Sequence, residues 1–575
     1  MLSYTELKKS AKQDGSGLFQ YKIAIAGDSS TQYLATAIKG YGKNHQLCFD
    51  ILDSGYDQIN AQLMDPSSEL YHFSPDAVIV SMCVEKLYEE FCRYPLEERK
   101  NFADLMINRI LGYWGLINGR IKAQILQFSF VEKDDFIYGN LGSKLENSFI
   151  YQVRKMNYLL SEQALQYGNV HIINLNYVVS LIGIHQFFDS KMYLLARITM
   201  SEAALPFVAK QVTDIISSIL GRIKKCIVLD LDNTLWGGII GDDGLENIQI
   251  GELGIGRAFT EFQLWLKELR KRGILLAVCS KNDEEKAKEP FIKHPDMVLR
   301  LEDITLFVAN WEDKASNIMN ICRRLNIGMD SIVYIDDSPF ERNLVKQLIP
   351  DITVPDMPED PSQYLDYLKE KNYFDTASYS ELDEDRTRQY KDEIERKVHK
   401  KQFQDYESYL KNLHMKSKSE HFLEAQYVRI SELSQRSNQF NFRTTRYTIE
   451  DVKEIAESKN FISLSFSLED RFGKYGLISV VILKILNQDE LFIETWFMSC
   501  RVLKRGMEQF IINKIVATAK GMGYKKIIGE YIETKKNHMV RNIYEELGFT
   551  KIDETHFEVN VNEFKENKTN VEEMV

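Results

Sequence analysis

Residues 224–238, KKCIVLDLDNTLWGG, decide the fold and the chemistry of the chain. CIVL is a short apolar run rich in β-branched residues, and it ends abruptly in Asp230, Leu231, Asp232, Asn233 and Thr234. Such a run bounded by polar residues reads as a buried strand of a parallel sheet. The D-x-D spacing puts Asp230 and Asp232 on one side of an extended strand end. Two carboxylates at that range require a cation or a shared proton. Oxygen ligands at a strand tip suit Mg²⁺, a hard cation able to polarise a phosphoryl group.

Downstream, ILLAVCSKND (274–283) and SIVYIDDSP (331–339) repeat the pattern of an apolar run closed by polar residues. Polar clusters at the carboxyl ends of parallel strands are where open α/β sheets bind ligands. Ser280 can donate its hydroxyl to a phosphoryl oxygen, and Lys314, in NWEDK, can neutralise developing charge. Asp336 and Asp337 can complete a metal sphere with Asp230 and Asp232. Between the first two motifs the chain is short and glycine-rich, with room for a flap and one amphipathic helix but no large cap domain. An open site of this kind admits a bulky substrate.

Outward from this centre, YKIAIAGDSS (21–30), DAVIVSM (76–82), AQILQFSF (123–130) and VHIINLN (170–176) predict an amino-terminal α/β unit with crossover helices. Ser380 to Lys418 is a mixed-charge stretch at loose helical spacing, a helical connector with a solvated face. Residues 462–485 and 490–499 alternate like antiparallel strands, and 505–524 reads as a helix closed by glycine. The expected division is 1–218, 222–368, a connector 369–418, and 419–568.

The chain of 575 residues is 44% hydrophobic and 27% charged, the profile of a folded globular protein. A formal charge of −12 disfavours a general grip on nucleic acid or anionic lipid. Seven scattered cysteines fit reduced thiols in a cytoplasm. The polar stretch MLSYTELKKSAKQDGSG lacks the apolar core of a signal peptide, and no segment approaches a bilayer span. A cytoplasmic location without a membrane role is expected.

The order DLDNT, Ser280, Lys314, Asp336–Asp337 resembles the four motifs of the haloacid dehalogenase (HAD) superfamily of phosphohydrolases and phosphotransferases. That resemblance implies a Rossmann-like core, with Asp230 as nucleophile and Asp232 as general acid and base, its carbonyl on the metal. It also implies that Thr234 orients the pair and that Asp336, aided by Asp337, ligates Mg²⁺. The longer strings DLDNTLWGGIIGDDGL, CSKND, NWEDK, VYIDDSPFER and DMPEDPSQY resemble the FkbH-like branch. The similarity continues through NQFNFRTTRYT, DRFGKYGLI, MSCRVLKRGMEQ and GEYIETKKN. By that resemblance the chain is a glyceryl transferase/phosphatase. It takes a small phosphorylated acyl substrate, the acyl group of 1,3-bisphosphoglycerate, removes its phosphates, and loads glyceryl onto the phosphopantetheine thiol of an acyl carrier protein. Two other readings stand beside it: a phosphatase of a free small phosphoester, and a non-catalytic carrier-binding scaffold.

Acyl transfer asks for a thiol. Cys279 adjoins Ser280 at the strand tip, where a metal and Lys314 can lower its pKa; a residue in that place also often fills the core. Cys226 reads as structural, and Cys500 lies in the carboxyl-terminal domain. That domain resembles the GNAT acyltransferase fold, with Tyr544 and Phe549 in its closing helix and strand. In GNAT members a glycine-rich loop wraps the pyrophosphate of coenzyme A. Arg501 and Gly506 match that loop, while Lys504 replaces its first glycine, so the domain is expected to recognise phosphopantetheine or position the carrier; a fold kept only as scaffold is the other reading. At the amino end, AGDSS resembles the GDS block of SGNH esterases on a flavodoxin-like fold and makes Ser29 a conceivable nucleophile. His185 and Asp189 stand in reversed order for such an enzyme, so a turn in which Asp28 and Ser29 cap a helix is the expected role. Asn140 is either a turn residue or an oxyanion-hole donor. An acidic carrier needs a basic dock, and Arg396, Lys397, His399, Lys400 and Lys401 form one cluster on the connector; they also read as a solvated face balanced by Glu393 and Glu395.

Overall fold

A computed structural model describes residues 2–377, 386–400, 403, 405–534 and 536–574, with the side chains at 386, 393–394, 397–398 and 400 left aside. The chain divides into two compact units, Met1–Ser217 and Ser218–Val575. The fold class is α/β, as the strand pattern predicts.

The first unit holds five parallel strands: β1 (Phe19–Gly27), β2 (Leu47–Asp53), β3 (Ala77–Ser81), β4 (Gln124–Phe128) and β5 (Val170–Ile173). Their order β2-β1-β3-β4-β5 is the doubly wound, flavodoxin-like order. Trp114, on the helix Phe102–Asn118, is fully buried and donates through Nε1 to Gln127 Oε1 at 3.2 Å, so the large indole keeps its one polar group paired. The helices Tyr4–Ala11 and Gln32–Asn44 meet at Gly40, where a Cβ would lie 2.0 Å from the Leu7 carbonyl oxygen. Only glycine permits that approach.

The second unit begins with a parallel sheet of β6 (Cys226–Leu229), β7 (Leu275–Ser280), β8 (Leu306–Ala309) and β9 (Ile332–Ile335), in the order β8-β7-β6-β9. Helices cover both faces, so the strands are apolar throughout. Alternation sorts their side chains: Ile227, Leu229, Leu276, Val278, Val333 and Ile335 enter one core, and Cys226, Val228, Ala277, Cys279, Ile332 and Tyr334 the other. The β6 and β9 tips end side by side, with Leu229 opposite Ile335.

A second sheet in the same unit comprises β10 (Lys416–Glu420), β11 (Phe440–Asn441), β12 (Phe461–Asp470), β13 (Gly473–Ile485), β14 (Glu490–Met498), β15 (Lys526–Glu530), β16 (Thr550–Lys551), β17 (His556–Asn560) and β18 (Glu572–Glu573). Its path is β16-β17-β15-β14-β13-β12-β10-β18, with β11 paired to β14. β12, β13 and β14 are antiparallel as their alternation predicts, and the helix Met507–Gly521 carries the chain to β15, parallel to β14.

The connector contains the helix Arg386–Lys400. Arg396 does not face solvent: it is 2% exposed and pairs with both Asp470 oxygens at 2.7 and 2.8 Å. His399 Nε2 lies 3.1 Å from Asn412 Oδ1, and its ring meets Phe403 and Phe472. Neither a basic dock nor a solvated face holds at Arg396, whose long stem and buried partner draw it inward. Lys401 lies outside the described residues, as do the side chains of Lys397 and Lys400. Among the described residues, no helix is long and apolar enough to cross a membrane.

Candidate active site

Asp230 follows β6 and Asp336 follows β9, and the Asp230 amide donates to the Ile335 carbonyl at 2.9 Å, extending the ladder one step beyond the strands. The two acidic tips are thereby held in register. Lys314 reaches both from the helix Lys314–Leu325, its Nζ 2.8 Å from Asp230 Oδ2 and 2.5 Å from Asp336 Oδ2. That helix starts where Asp313 caps the Ser316 amide at 2.8 Å, and the turn before it is clasped by the reciprocal amides of Asn310 and Asn317. Asp336 is fully buried; its Oδ1 accepts from the Ser338 amide at 2.8 Å and its Oδ2 from the Tyr334 hydroxyl. Arg342 Nη1 donates to the carbonyls of Asp336 and Asp337 at 2.8 and 2.6 Å, which fixes the turn carrying both acids.

Carboxylate oxygens of Asp230, Asp336 and Asp337 lie within 4.8 Å of one another. Asp230 Oδ1 is buried and has no hydrogen-bond partner, a costly state for a carboxylate oxygen unless a ligand completes it. An all-oxygen set with one open donor fits a hard divalent cation. Burial raises the Asp230 carboxyl, with Lys314 opposing and Asp336 reinforcing the shift. Burial and then Asp336 raise Asp337. For Lys314, burial alone would favour the neutral amine, but Asp230 and Asp336 outweigh it and hold the ammonium charged.

Asp232 is held apart from the acidic trio. Its Oδ1 accepts from Trp236 Nε1 and the Ile240 amide, each at 3.0 Å, and its Oδ2 accepts from Asn282 Nδ2 at 3.0 Å. Burial raises its pKa, against the hydrogen bonds from Ile240 and Trp236. Thr234 Oγ1 accepts from the Asp337 amide at 3.2 Å. Between them Asn233 takes a left-handed φ of 54°, and its Oδ1 receives the Gly238 amide at 2.9 Å, a local bond that supports this conformation for asparagine. Ser280 ends β7, 2% exposed. A cavity of about 500 Å³ opens beside Asp337, lined among others by Asn233, Gln249, Arg342 and Tyr364. Asn282, Tyr334, Trp236 and Arg342 have no place in the sequence reading of the site, because each acts through a tertiary contact.

Cys279 is corrected as a site-lining thiol. It alternates with Ser280, faces the core beside Ala277 and Tyr334 with no exposure, and its Sγ contacts the Lys314 carbonyl at 3.7 Å. Burial raises the thiol, where activation would lower it. Cys226 is equally buried, as expected, and Cys500 is half-buried.

The residues matched to a coenzyme loop are engaged by the chain itself. Arg501 is 9% exposed, with its guanidinium on Ser499 Oγ, Gln389 Oε1 and the Tyr475 carbonyl. Gly506 has φ 86°, and its carbonyl accepts from Thr569 Oγ1 at 2.8 Å. The Glu508 carboxylate, on the first turn of the helix, accepts from the Lys504 amide at 2.8 Å, so the protein's own anion occupies this helix start.

In the first unit Ser29 is buried, while His185 and Asn140 are exposed and Asp189 caps the Met192 amide at 2.9 Å. The expectation that Asp28 caps a helix at its own turn is corrected. The helix Gln32–Asn44 has Thr31 at its N-cap without a side-chain bond, and Asp28 Oδ1 instead receives the Cys83 amide at 2.9 Å. Burial, the dominant cause, pushes Asp28 up to about 7.

A family model described as the FkbH N-terminal domain matches residues 22–217. No curated protein matches the chain. Among solved structures, the chain is similar to the N-terminal part of the protein BF1531 from Bacteroides fragilis, which contains a phosphatase domain and was crystallised in complex with Mg. The two are 46% identical with a TM-score of 0.63, over 66% of this chain and 100% of that one. The ribosomal-protein-S18-alanine N-acetyltransferase of Escherichia coli aligns with 26% of this chain and 98% of its own at 10% identity, TM-score 0.21. Spermidine N-acetyltransferase from Vibrio cholerae aligns with 26% and 96% at 14% identity, TM-score 0.21. Near-half identity over the whole length of the BF1531 structure, joined to the match over 22–217, means that the chain belongs to the FkbH family.

Proposed function

We propose that the chain is a Mg²⁺-dependent phosphatase of the FkbH type, and that its phosphatase step serves transfer of a glyceryl unit to an acyl carrier protein. The observation that carries the phosphatase reading is the buried, unpartnered Asp230 Oδ1 among Asp336, Asp337 and Lys314. The Mg²⁺ complex of the BF1531 structure supports the choice of ion. Asp230, Asp336 and Asp337 would hold Mg²⁺ by their side chains, with the Asp232 carbonyl beside them. Bound there, the ion neutralises the carboxylates and polarises a phosphoryl oxygen.

An Asp230 oxygen attacks phosphorus, the bond to the leaving oxygen breaks with its electron pair, and that oxygen takes a proton from Asp232. Asp232 then takes a proton from water as the water attacks the aspartyl-phosphate, which frees inorganic phosphate and restores Asp230. Lys314 and Ser280 stabilise the charge on the transferring group.

The transfer step draws its support from family membership and from the open approach to the site, since residues 239–255 form only the short helix Ile240–Asp243 and a loop. With Cys279 turned to the core, the phosphopantetheine thiol of the carrier is the acceptor. The substrate is 1,3-bisphosphoglycerate: the thiol sulfur bonds to its C1 carbonyl carbon, the C1–O bond breaks so that phosphate leaves with the electron pair while the thiol proton passes to solvent, and Asp230 acts on the phosphate ester at C3.

D230N tests the first part: phosphate release from phosphoesters with Mg²⁺ is expected to vanish while the far-ultraviolet circular dichroism stays that of the parent. Retained release rejects Asp230 as nucleophile. Incubation with 1,3-bisphosphoglycerate and a carrier protein tests the second by mass spectrometry. Glyceryl mass on the carrier is expected; phosphate release without it reduces the activity to that of a phosphatase.

A further inference from the structure

We infer that Asn282 is a positioning residue that selects Oδ2 of Asp232 as the oxygen that moves the proton. The inference rests on the phosphatase reading and goes beyond it. The two Asp232 oxygens are unlike. Oδ1 accepts two hydrogen bonds, from Trp236 Nε1 and the Ile240 amide, which use its lone pairs. Oδ2 accepts one, from Asn282 Nδ2, and keeps a lone pair for a proton.

The orientation of the Asn282 amide is itself determined. Asn282 Oδ1 accepts from the Asp283 amide at 3.0 Å, so Nδ2 must face Asp232. Asp283 in turn caps the helix Glu284–Lys293 through the amides of Glu285 and Lys286, both at 3.1 Å. Asn282 is 5% exposed, so both bonds are shielded from solvent. The carboxylate is thus tied through one asparagine to a capped helix, and its reactive oxygen is held in one place. A positioned acid contributes most where the leaving group is poor, because a good leaving group departs without a proton.

The experiment compares p-nitrophenyl phosphate, whose leaving group needs no proton, with ethyl phosphate, whose leaving group does. Both are measured with Mg²⁺ on the full chain and on N282L, which is close in size, removes the donor to Asp232 Oδ2 and sets no second carboxyl beside it. The pre-steady-state release of nitrophenolate reads the first step alone. N282L is expected to lower kcat for ethyl phosphate by about a hundredfold and the nitrophenolate burst rate by less than about threefold. Equal losses on both esters, or no loss on either, overturn the inference. N282A is run in parallel, so that failure of one variant to fold leaves the other to decide by the same ratio. If the parent turns over neither ester, the phosphatase reading fails; if the parent turns over both and the variants keep their ratio, only the role of Asn282 fails.

Discussion

Thr234 Oγ1 accepts the amide hydrogen of Asp337 at 3.2 Å, which ties the turn after β6 to the turn after β9. Thr234 has no exposed surface while Asp337 is half-buried, so the bond is shielded from water on the Thr234 side. T234V keeps the shape and strands the Asp337 amide, at a cost of about 1–3 kcal/mol. A lower unfolding midpoint and weaker Mg²⁺ binding by titration calorimetry are expected together; unchanged Mg²⁺ affinity would mean that the bond supports the fold and not the acidic site.

Cys279 offers the opposite expectation. Its side chain packs on Ala277 and Tyr334, away from Ser280. C279A is expected to lose roughly 1 kcal/mol of stability through a small cavity and to keep both phosphate release and any loading of a carrier. Loss of loading with intact phosphate release, measured on the same preparation, would return Cys279 to the reaction path.

Asp28 makes the first unit sensitive to pH. Its folded pKa of about 7 lies above the ordinary value near 4, so the folded state binds the proton more tightly. Its contribution to stability is greatest below about pH 4, falls as pH rises through about 7, and is gone beyond, with a span on the order of 4 kcal/mol. Denaturant midpoints of the parent and of D28N across that range should converge at low pH and part at high pH in favour of the variant. Parallel curves would show that Asp28 titrates in the ordinary range.

Arg396 and Asp470 form a pair with 2% and 0% side-chain exposure. R396M leaves the Asp470 charge buried with the Tyr475 hydroxyl and the amides of Phe472 and Gly473 as donors. A loss of about 3 kcal/mol or more is expected by chemical denaturation. A change below about 1 kcal/mol would show that Asp470 is readily rehydrated.

The acidic motifs were legible because strand and chemistry share one signal: an apolar run that stops at a carboxylate states both the strand and its functional end. Lys314 was legible through its place in NWEDK. Asn282, Tyr334 and Arg342 were not, since their partners are Asp232 and the Asp336–Asp337 turn, and the sequence does not show which hydroxyl or amide folds against which carboxylate. For Cys279 the alternation relative to Ser280 was present in the sequence, but its phase against the two cores needed the helices in place. Arg501 and Gly506 illustrate a further limit. The loop pattern is present, yet Glu508 accepts from the Lys504 amide and Thr569 donates to the Gly506 carbonyl, contacts that the pattern does not show. Arg396 belongs with them, because a long cationic side chain on a charged helix points outward by rule, and only the buried Asp470 on β12 draws it in.

The Asp230 amide carries the hydrogen-bond ladder between β6 and β9 one step past the strands, so the proposed nucleophile is anchored to the end of its sheet. Deuterium should reach that amide only when the sheet itself opens. Warming that frays this end of the sheet therefore loosens the Asp230 carboxylate with it, so loss of phosphate release is expected at or just ahead of melting of the parallel strands.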